Sequence, residues 1–349
     1  MRLGINLGYW GAGNDADNLE LAREADRLGY SVAWAAEAYG SDAATVLAWV
    51  AAQTERIDIG SAVFQIPGRT PANTAMTAAT LDTLSGGRFR LGLGVSGPQV
   101  SEGWHGVRFD RPLARTREYV DVVKLALSRR KVQYDGEFFT LPLPDGPGKA
   151  LVLTVHPVRD QIPIYLAAIG PKNLELTGEI ADGWLAIFFA PEHADELTSH
   201  VAAGRAKVGK TLEGFDVVPT VPVVFGDDVA ACADPLRAYC SLYIGGMGSR
   251  EKNFYNQLAS RMGYEAAAAE VQDKYLARDY DGAGAAVPFE FIDRTALIGP
   301  RERVQERLHA YAAAGVTTLS VATYAPTLDE RLTTLRTMAE ILDASGLGD

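Results

Sequence analysis

Glu37 stands at the end of the apolar run Ser31 to Ala36, flanked by Ala36 and Ala38, and is the carboxylate best placed for proton transfer. An acid at such a point either exchanges a proton beside a ligand or partners a helix terminus. The run Ile57 to Phe64 ends in Ser61-Ala62-Val63-Phe64-Gln65, where small residues let a planar group approach the backbone. Arg88 to Val95 leads into Val95-Ser96-Gly97-Pro98, after Gly92 and Gly94; glycine at this density weakens a strand unless something must come close. The strongest signal is Ala167-Ala168-Ile169-Gly170-Pro171-Lys172-Asn173, which runs straight into the helical spacing of Leu174, Leu176 and Ile180. Free N–H groups at such a helix start suit an anion, with Lys172 and the Ser96-Gly97 loop adding charge and donors; the alternative is an ordinary tight turn.

Gly8-Tyr9-Trp10-Gly11 follows the first apolar run, and its aromatics either pack on a planar ligand or bury a loop. Tyr39, Trp104 and His105 also follow strand ends and, with Tyr9, are candidate substrate contacts. The five histidines show no metal-ligand pairing, so no metal is expected. Neither a Gly-x-Ser-x-Gly elbow nor a Gly-x-Gly-x-x-Gly turn opening a helix after the first strand is present.

Eight apolar runs carry these residues: Leu3–Tyr9, Ser31–Ala36, Ile57–Phe64, Arg88–Val95, Ile162–Ile169, Trp184–Phe189, Val217–Phe225 and Leu319–Thr323. Segments of helical period separate nearly all of them. Leu21, Ala22, Ala25 and Leu28 mark a helix closed by Gly29, Asp42 can cap the next, and Thr70-Pro71 opens a third. Regular alternation of this kind predicts an α/β fold, a (β/α)8 TIM barrel in one domain over residues 1–349. Two insertions are expected. Residues 131–163 hold a hairpin around Asp135-Gly136, and residues 243–288 hold a helical lid with a long helix through Leu258, Met262 and Tyr264.

With 349 residues, 47% of them hydrophobic, the chain can bury a large core. A net charge of -11 and the absence of any long basic run speak against nucleic acid as partner. No apolar stretch reaches the roughly 18 residues of a membrane span. Cys232 and Cys240 lack redox or metal spacing and suit a reducing compartment, so a cytoplasmic protein is expected.

Ile59-Gly60-Ser61-Ala62-Val63, Arg69-Thr70-Pro71, Leu81-Asp82-Thr83-Leu84-Ser85-Gly86-Gly87-Arg88 and Leu91-Gly92-Leu93-Gly94 together resemble the luciferase-like superfamily of flavin and deazaflavin barrels. Ala168-Ile169-Gly170-Pro171-Lys172, Gly178-Glu179-Ile180-Ala181-Asp182-Gly183 and Gly245-Gly246-Met247-Gly248 are most similar to the branch that uses coenzyme F420, which includes the methylenetetrahydromethanopterin reductases. Many relatives carry a histidine after the acid at the end of strand two; here Ala38 follows Glu37.

The resemblance implies a coenzyme F420-dependent oxidoreductase that passes a hydride between the deazaflavin and a small carbonyl, imine or activated alkene. It places Gly8, Trp10, Ser61, Ala62, Val63, Phe64, Gln65, Val95, Ser96, Gly97, Ala168, Ile169, Gly170, Pro171 and Lys172 around the cofactor. Glu37 would handle the proton, and Tyr9, Tyr39, Trp104 and His105 the substrate. It also implies a homodimer through outer helices around Leu47, Trp49 and Met76, and a non-prolyl cis peptide between Ala62 and Val63. An FMN-dependent monooxygenase on the same barrel, and a flavin- or deazaflavin-binding protein without turnover, are the alternatives.

Overall fold

The computed structural model describes residues 1–10 and 15–348. Its strands are β1 (Arg2–Asn6), β2 (Val32–Ala35), β3 (Asp58–Ser61), β4 (Phe64–Gln65), β5 (Phe89–Gly94), β6 (Tyr134–Asp135), β7 (Thr140–Leu141), β8 (Ile164–Ala167), β9 (Gly183–Ile187), β10 (Asp216–Phe225), β11 (Leu297–Gly299) and β12 (Thr318–Thr323). Eight of them close a parallel barrel in the order β1, β2, β3, β5, β8, β9, β10, β12, and β12 returns to β1 with Ile5 beside Val321. Helices cover the outside, as apolar strands joined by amphipathic segments require.

The eight predicted runs are the eight barrel strands, most of them shorter than expected, while β1, β9, β10 and β12 each begin one residue earlier. The third differs most: it breaks after Ser61 and resumes as β4, with a cis peptide between Ala62 and Val63, as expected. Cross-sheet space for this break comes from Gly92 and Gly94. A Cβ at Gly92 would stand 1.9 Å from the Ser61 carbonyl oxygen, and one at Gly94 would stand 2.5 Å from Val63 Cγ2.

At the N-terminal end the barrel is plugged by charge. Arg90 bonds Asp58 at 2.8 Å and Asp216 at 3.3 Å, while Tyr165 and Thr318 donate to the same Asp216 at 2.9 and 2.8 Å. Above this sit Trp34 and Tyr165, edge to face at 5.3 Å. Buried charge is tolerated because every partner is hydrogen-bonded.

The expected helix caps are present: Asp42 accepts from the Thr45 N–H, Thr70 accepts from that of Asn73, and Gly29 turns left-handed after the helix Asp15–Arg27. Residues 131–163 do form a hairpin, but Tyr134 pairs with Leu141 and Asp135 with Thr140, so Gly136 to Phe139 make the turn. The expected long helix through Leu258 and Tyr264 is divided. The helix Phe254–Ala259 is separated from Glu265–Leu276 by a wide turn in which Gly263 takes a φ of 90°. The short β11 was not anticipated; its three residues pair with Val223 to Phe225 of β10.

The motif around Asp82 proves to be a fastening on the outer wall. Asp82 is fully buried and accepts from the Val158 N–H and from Arg159, pinning the segment that leads to β8. Gly86 and Gly87 turn left-handed, and Arg88 then donates to the Ala51, Thr54 and Ile57 carbonyls. Two outer helices also meet backbone to backbone at a pair of glycines. A Cβ at Gly178 in Pro171–Ile180 would stand 2.0 Å from the Val201 oxygen of Ala194–Lys207, and one at Gly204 would stand 1.8 Å from that of Glu175.

Candidate active site

Strand ends at the C-terminal face of a barrel carry its chemistry. The tips of β3, β5 and β8 are adjacent here, and together they form a surface poor in side chains. Ala62 and Val63 are half-buried at the break, and Val63 fits because Gly94 faces it without a side chain. Val95, Ser96 and Gly97 follow, also half-buried, with Ser96 left-handed at φ 62°. Ile169 and Gly170 come next, and Pro171 and Lys172 are exposed where the helix Pro171–Ile180 begins.

The helix start offers fewer free donors than the spacing suggests. Pro171 has no N–H, and those of Asn173 and Leu174 bond the Gly170 carbonyl at 3.0 and 2.9 Å. What remains for an anion is the Lys172 backbone N–H and its side chain. Arg261, from the turn after Phe254–Ala259, bonds the Ile169 carbonyl at 3.1 Å and brings a second cation to this corner. No nearby motif marks Arg261 in the sequence.

Four expected cofactor contacts are buried. Ser61 is fully buried; its hydroxyl donates to the Gly92 carbonyl at 2.8 Å and accepts from the Gly92 N–H at 2.9 Å, tying β3 to β5. Phe64 is fully buried against Phe89, with the Arg69 guanidinium 4.7 Å from its ring centre. Ala168 is buried, and its carbonyl accepts from the Trp184 indole at 2.9 Å. Gln65 is buried and spent twice: its amide N–H donates to the Glu37 carbonyl at 2.9 Å and its oxygen lies 2.9 Å from His105 Nε2. Among these four, Ser61 and Gln65 have their polar side-chain atoms engaged within the protein, and Phe64 and Ala168 are packed in the core. His105 thus pins its loop over the tip of β4, while neighbouring Trp104 is exposed.

Glu37 takes the helix-partner alternative. Its Oε2 accepts from the Ala43 N–H, at the start of the helix Ala43–Ala51, at 3.0 Å and from Arg69 at 2.8 Å. Arg69 also reaches Asp42. The carboxylate is almost enclosed, with side-chain exposure of 12%; Oε2 carries both of these bonds, and Oε1 faces only the Gln65 N–H at 3.5 Å. Arg69 is the functional neighbour that spacing alone did not single out.

At β1, Gly8 is left-handed at φ 61° and its N–H is held by Asn6. Trp10 packs partly into the core and its backbone N–H donates to the Ser41 hydroxyl at 3.0 Å, in line with the loop-burying alternative, while its buried indole N–H has no partner among the described residues; Gly11 lies outside them. Tyr9 and Tyr39 remain well exposed at the tips of β1 and β2. Phe188, directly after β9, is buried with a left-handed φ of 49°, unusual for so bulky a residue.

The sequence matches the luciferase-like monooxygenase family model over residues 8–318. It is 44% identical over 328 residues to a Mycobacterium tuberculosis chain named as a candidate coenzyme F420-dependent oxidoreductase, covering 92% of this chain and 94% of that one. It is 28% identical to the 5,10-methylenetetrahydromethanopterin reductase of Archaeoglobus fulgidus, with 84% and 85% covered. The solved coenzyme F420-dependent tetrahydromethanopterin reductase of Methanopyrus kandleri superposes with a TM-score of 0.82 at 23% identity, covering 97% of each chain. With barrel, broken third strand and these relatives in agreement, the chain belongs to the luciferase-like monooxygenase family, in its branch of coenzyme F420-dependent oxidoreductases.

Proposed function

We propose that the chain binds coenzyme F420 across the tips of β3, β5 and β8 and catalyses hydride transfer between it and a small carbonyl, imine or activated alkene. One observation carries this reading: the break in the third strand after Ser61, cleared by Gly94, shares the C-terminal face of three successive strands with a helix start flanked by Lys172 and Arg261. A flat surface next to a cationic corner matches a planar ring with an anionic tail. When bound, the deazaflavin supplies two-electron hydride chemistry; the protein supplies orientation and electrostatics.

Each residue has a bounded task in this reading. Ala62 and Val63 present backbone and one branched side chain to a ring face. Ser96, Gly97 and Gly170 leave room for the tail, and Lys172 with Arg261 holds its charge. Glu37 and Arg69 fix the tip of β2 against the helix Ala43–Ala51, and His105 with Gln65 fixes the Trp104 loop. The insertion over residues 243–288 closes one side of the mouth as a packed wall, with Leu258, Met262, Val271 and Ala283 buried.

The direct test is titration of the cofactor-free chain with F420 and with FMN, followed by fluorescence. Tight binding of F420 and weak binding of FMN supports the reading, and the reverse sinks it.

A homodimer belongs to the same proposal. The helix Ala43–Ala51 contains no charged residue, and the only one in Pro71–Leu84, Asp82, is buried. On a chain of net charge -11, this uncharged outer face with exposed Trp49 and Met76 fits a second copy of itself.

A further inference from the structure

The other half of the barrel mouth is built from phenols. Tyr9 and Tyr39 stand at the tips of β1 and β2, and Tyr324 directly follows β12. Tyr239 and Tyr243 come from the helix and turn after β10, and Tyr255 from the insertion. Tyr243 lies 4.8 Å from Tyr255 and 5.0 Å from Tyr239, ring centre to ring centre, and Tyr239 lies 5.6 Å from Tyr324. Phe188 is the hub beneath them, 5.5 Å from Tyr239, 5.9 Å from Tyr243 and 6.4 Å from Tyr255. Its left-handed backbone, costly for a large residue, is what turns the ring to this position.

Packing alone does not explain the chemistry of the group. Phenylalanine would serve a purely apolar junction, and a buried phenol normally finds a hydrogen-bond partner. Tyr9 and Tyr243 are interacting neighbours. The hydroxyls of Tyr239, Tyr255 and Tyr324 have no partner among the described residues, and none is sealed from solvent. Burial raises the phenol pKa of Tyr239, Tyr243, Tyr255 and Tyr324 further above physiological pH, where they are neutral donors. Among the described residues no guanidinium or ammonium group stands over any of these rings, and Arg69 at the tip of β2 is paired with Glu37 and Asp42.

We propose that this phenolic half is the substrate side, and that the substrate is a neutral molecule with a flat, apolar body and an oxygen that accepts phenolic hydrogen bonds, such as an aromatic or conjugated carbonyl. A sugar phosphate or other anion is disfavoured there, because no fixed positive charge compensates its desolvation. The inference rests on the oxidoreductase reading for what happens to that carbonyl, while binding itself depends only on the tyrosines.

The test uses the full chain and three probes: 2-naphthaldehyde, naphthalene-2-sulfonate and glucose 6-phosphate, with binding followed by quenching of intrinsic fluorescence. The aldehyde is expected to bind at least about tenfold more tightly than either anion. In the combined variant Tyr243→Phe, Tyr255→Phe, Tyr324→Phe the rings remain, so the thermal midpoint should hold while aldehyde affinity falls about tenfold. The F420 dissociation constant of that variant should stay within about twofold of the parent. Tighter binding of glucose 6-phosphate than of the aldehyde overturns the proposal, as does aldehyde binding indifferent to the three hydroxyls. A chain that binds the aldehyde through these tyrosines but binds no F420 upholds this inference and overturns the deazaflavin reading.

Discussion

Arg69 bonds Glu37 at 2.8 Å while its guanidinium lies 4.7 Å from the centre of the Phe64 ring, so one cation joins the tip of β2 to the restart of the broken third strand. Removing the carboxylate's charge leaves Arg69 with Asp42 as its one remaining acidic partner in a largely enclosed place. Glu37→Gln is therefore expected to lower stability by about 2 kcal/mol, less than the loss of a fully buried pair. Urea unfolding at neutral pH measures this. Unchanged stability with turnover reduced a hundredfold or more would return Glu37 to proton transfer.

Gly92 and Gly94 make different demands. At Gly92→Ala the new methyl meets the Ser61 carbonyl oxygen at 1.9 Å, backbone that cannot give way, and a loss of more than about 3 kcal/mol or failure to fold is expected. At Gly94→Ala it meets the end of the Val63 side chain at 2.5 Å. That variant should fold and bind F420 at least about tenfold more weakly, because Val63 is pushed toward the ring. Circular dichroism melts and fluorescence titration separate the two outcomes.

The cationic corner predicts a salt-dependent term. Lys172→Ala and Arg261→Ala should each weaken F420 binding by about 1 kcal/mol, and the double variant by about 2 if the tail meets both. The penalty should shrink as ionic strength rises. If neither changes the dissociation constant, the tail lies elsewhere.

Acid should find one weak seam. Glu24 is held at a pKa of about 2, chiefly by its hydrogen bond from Arg27, with Arg336 adding to it against the burial that would raise it. A depressed carboxyl pKa stabilises the fold fully above about pH 4.5 and ceases to do so as pH falls toward 2. Arg336→Ala should thus cost about 0.5 to 1 kcal/mol at pH 7, discounted for solvent screening, and much less near pH 2.5. An equal penalty at both values would show that Arg336 acts through packing.

Trp49→Glu with Met76→Lys should leave the fold intact and halve the mass seen by light scattering, toward 37.5 kDa for one chain. A parent already at that mass removes the dimer.

Periodicity made the barrel legible, because buried parallel strands and amphipathic helices each leave a pattern along the chain. It did not reveal β11, whose three residues are too few to show a period, nor the division at Gly263, where a left-handed glycine interrupts an otherwise helical run. For the site, backbone features read well: the break at Ala62, the loop at Ser96 and the turn at Gly170 all stand at strand tips. Side-chain roles read poorly, since Ser61, Phe64, Gln65 and Glu37 look available in sequence and are engaged by partners far along the chain. Arg261 and the tyrosines of the substrate side come from segments separated by the same long distances, so no local spacing brings them together.

The glycine-to-backbone contact of Pro171–Ile180 with Ala194–Lys207 bears on how the cofactor corner behaves before anything binds. Two helices touching through main chain at Gly178 and Gly204, and tied by the Lys207–Glu175 ion pair, have little room to slide, so they tilt together. The amide hydrogens of Leu176 to Ile180 should therefore exchange slowly in the cofactor-free chain and change little on loading, and association there should carry only a small ordering entropy.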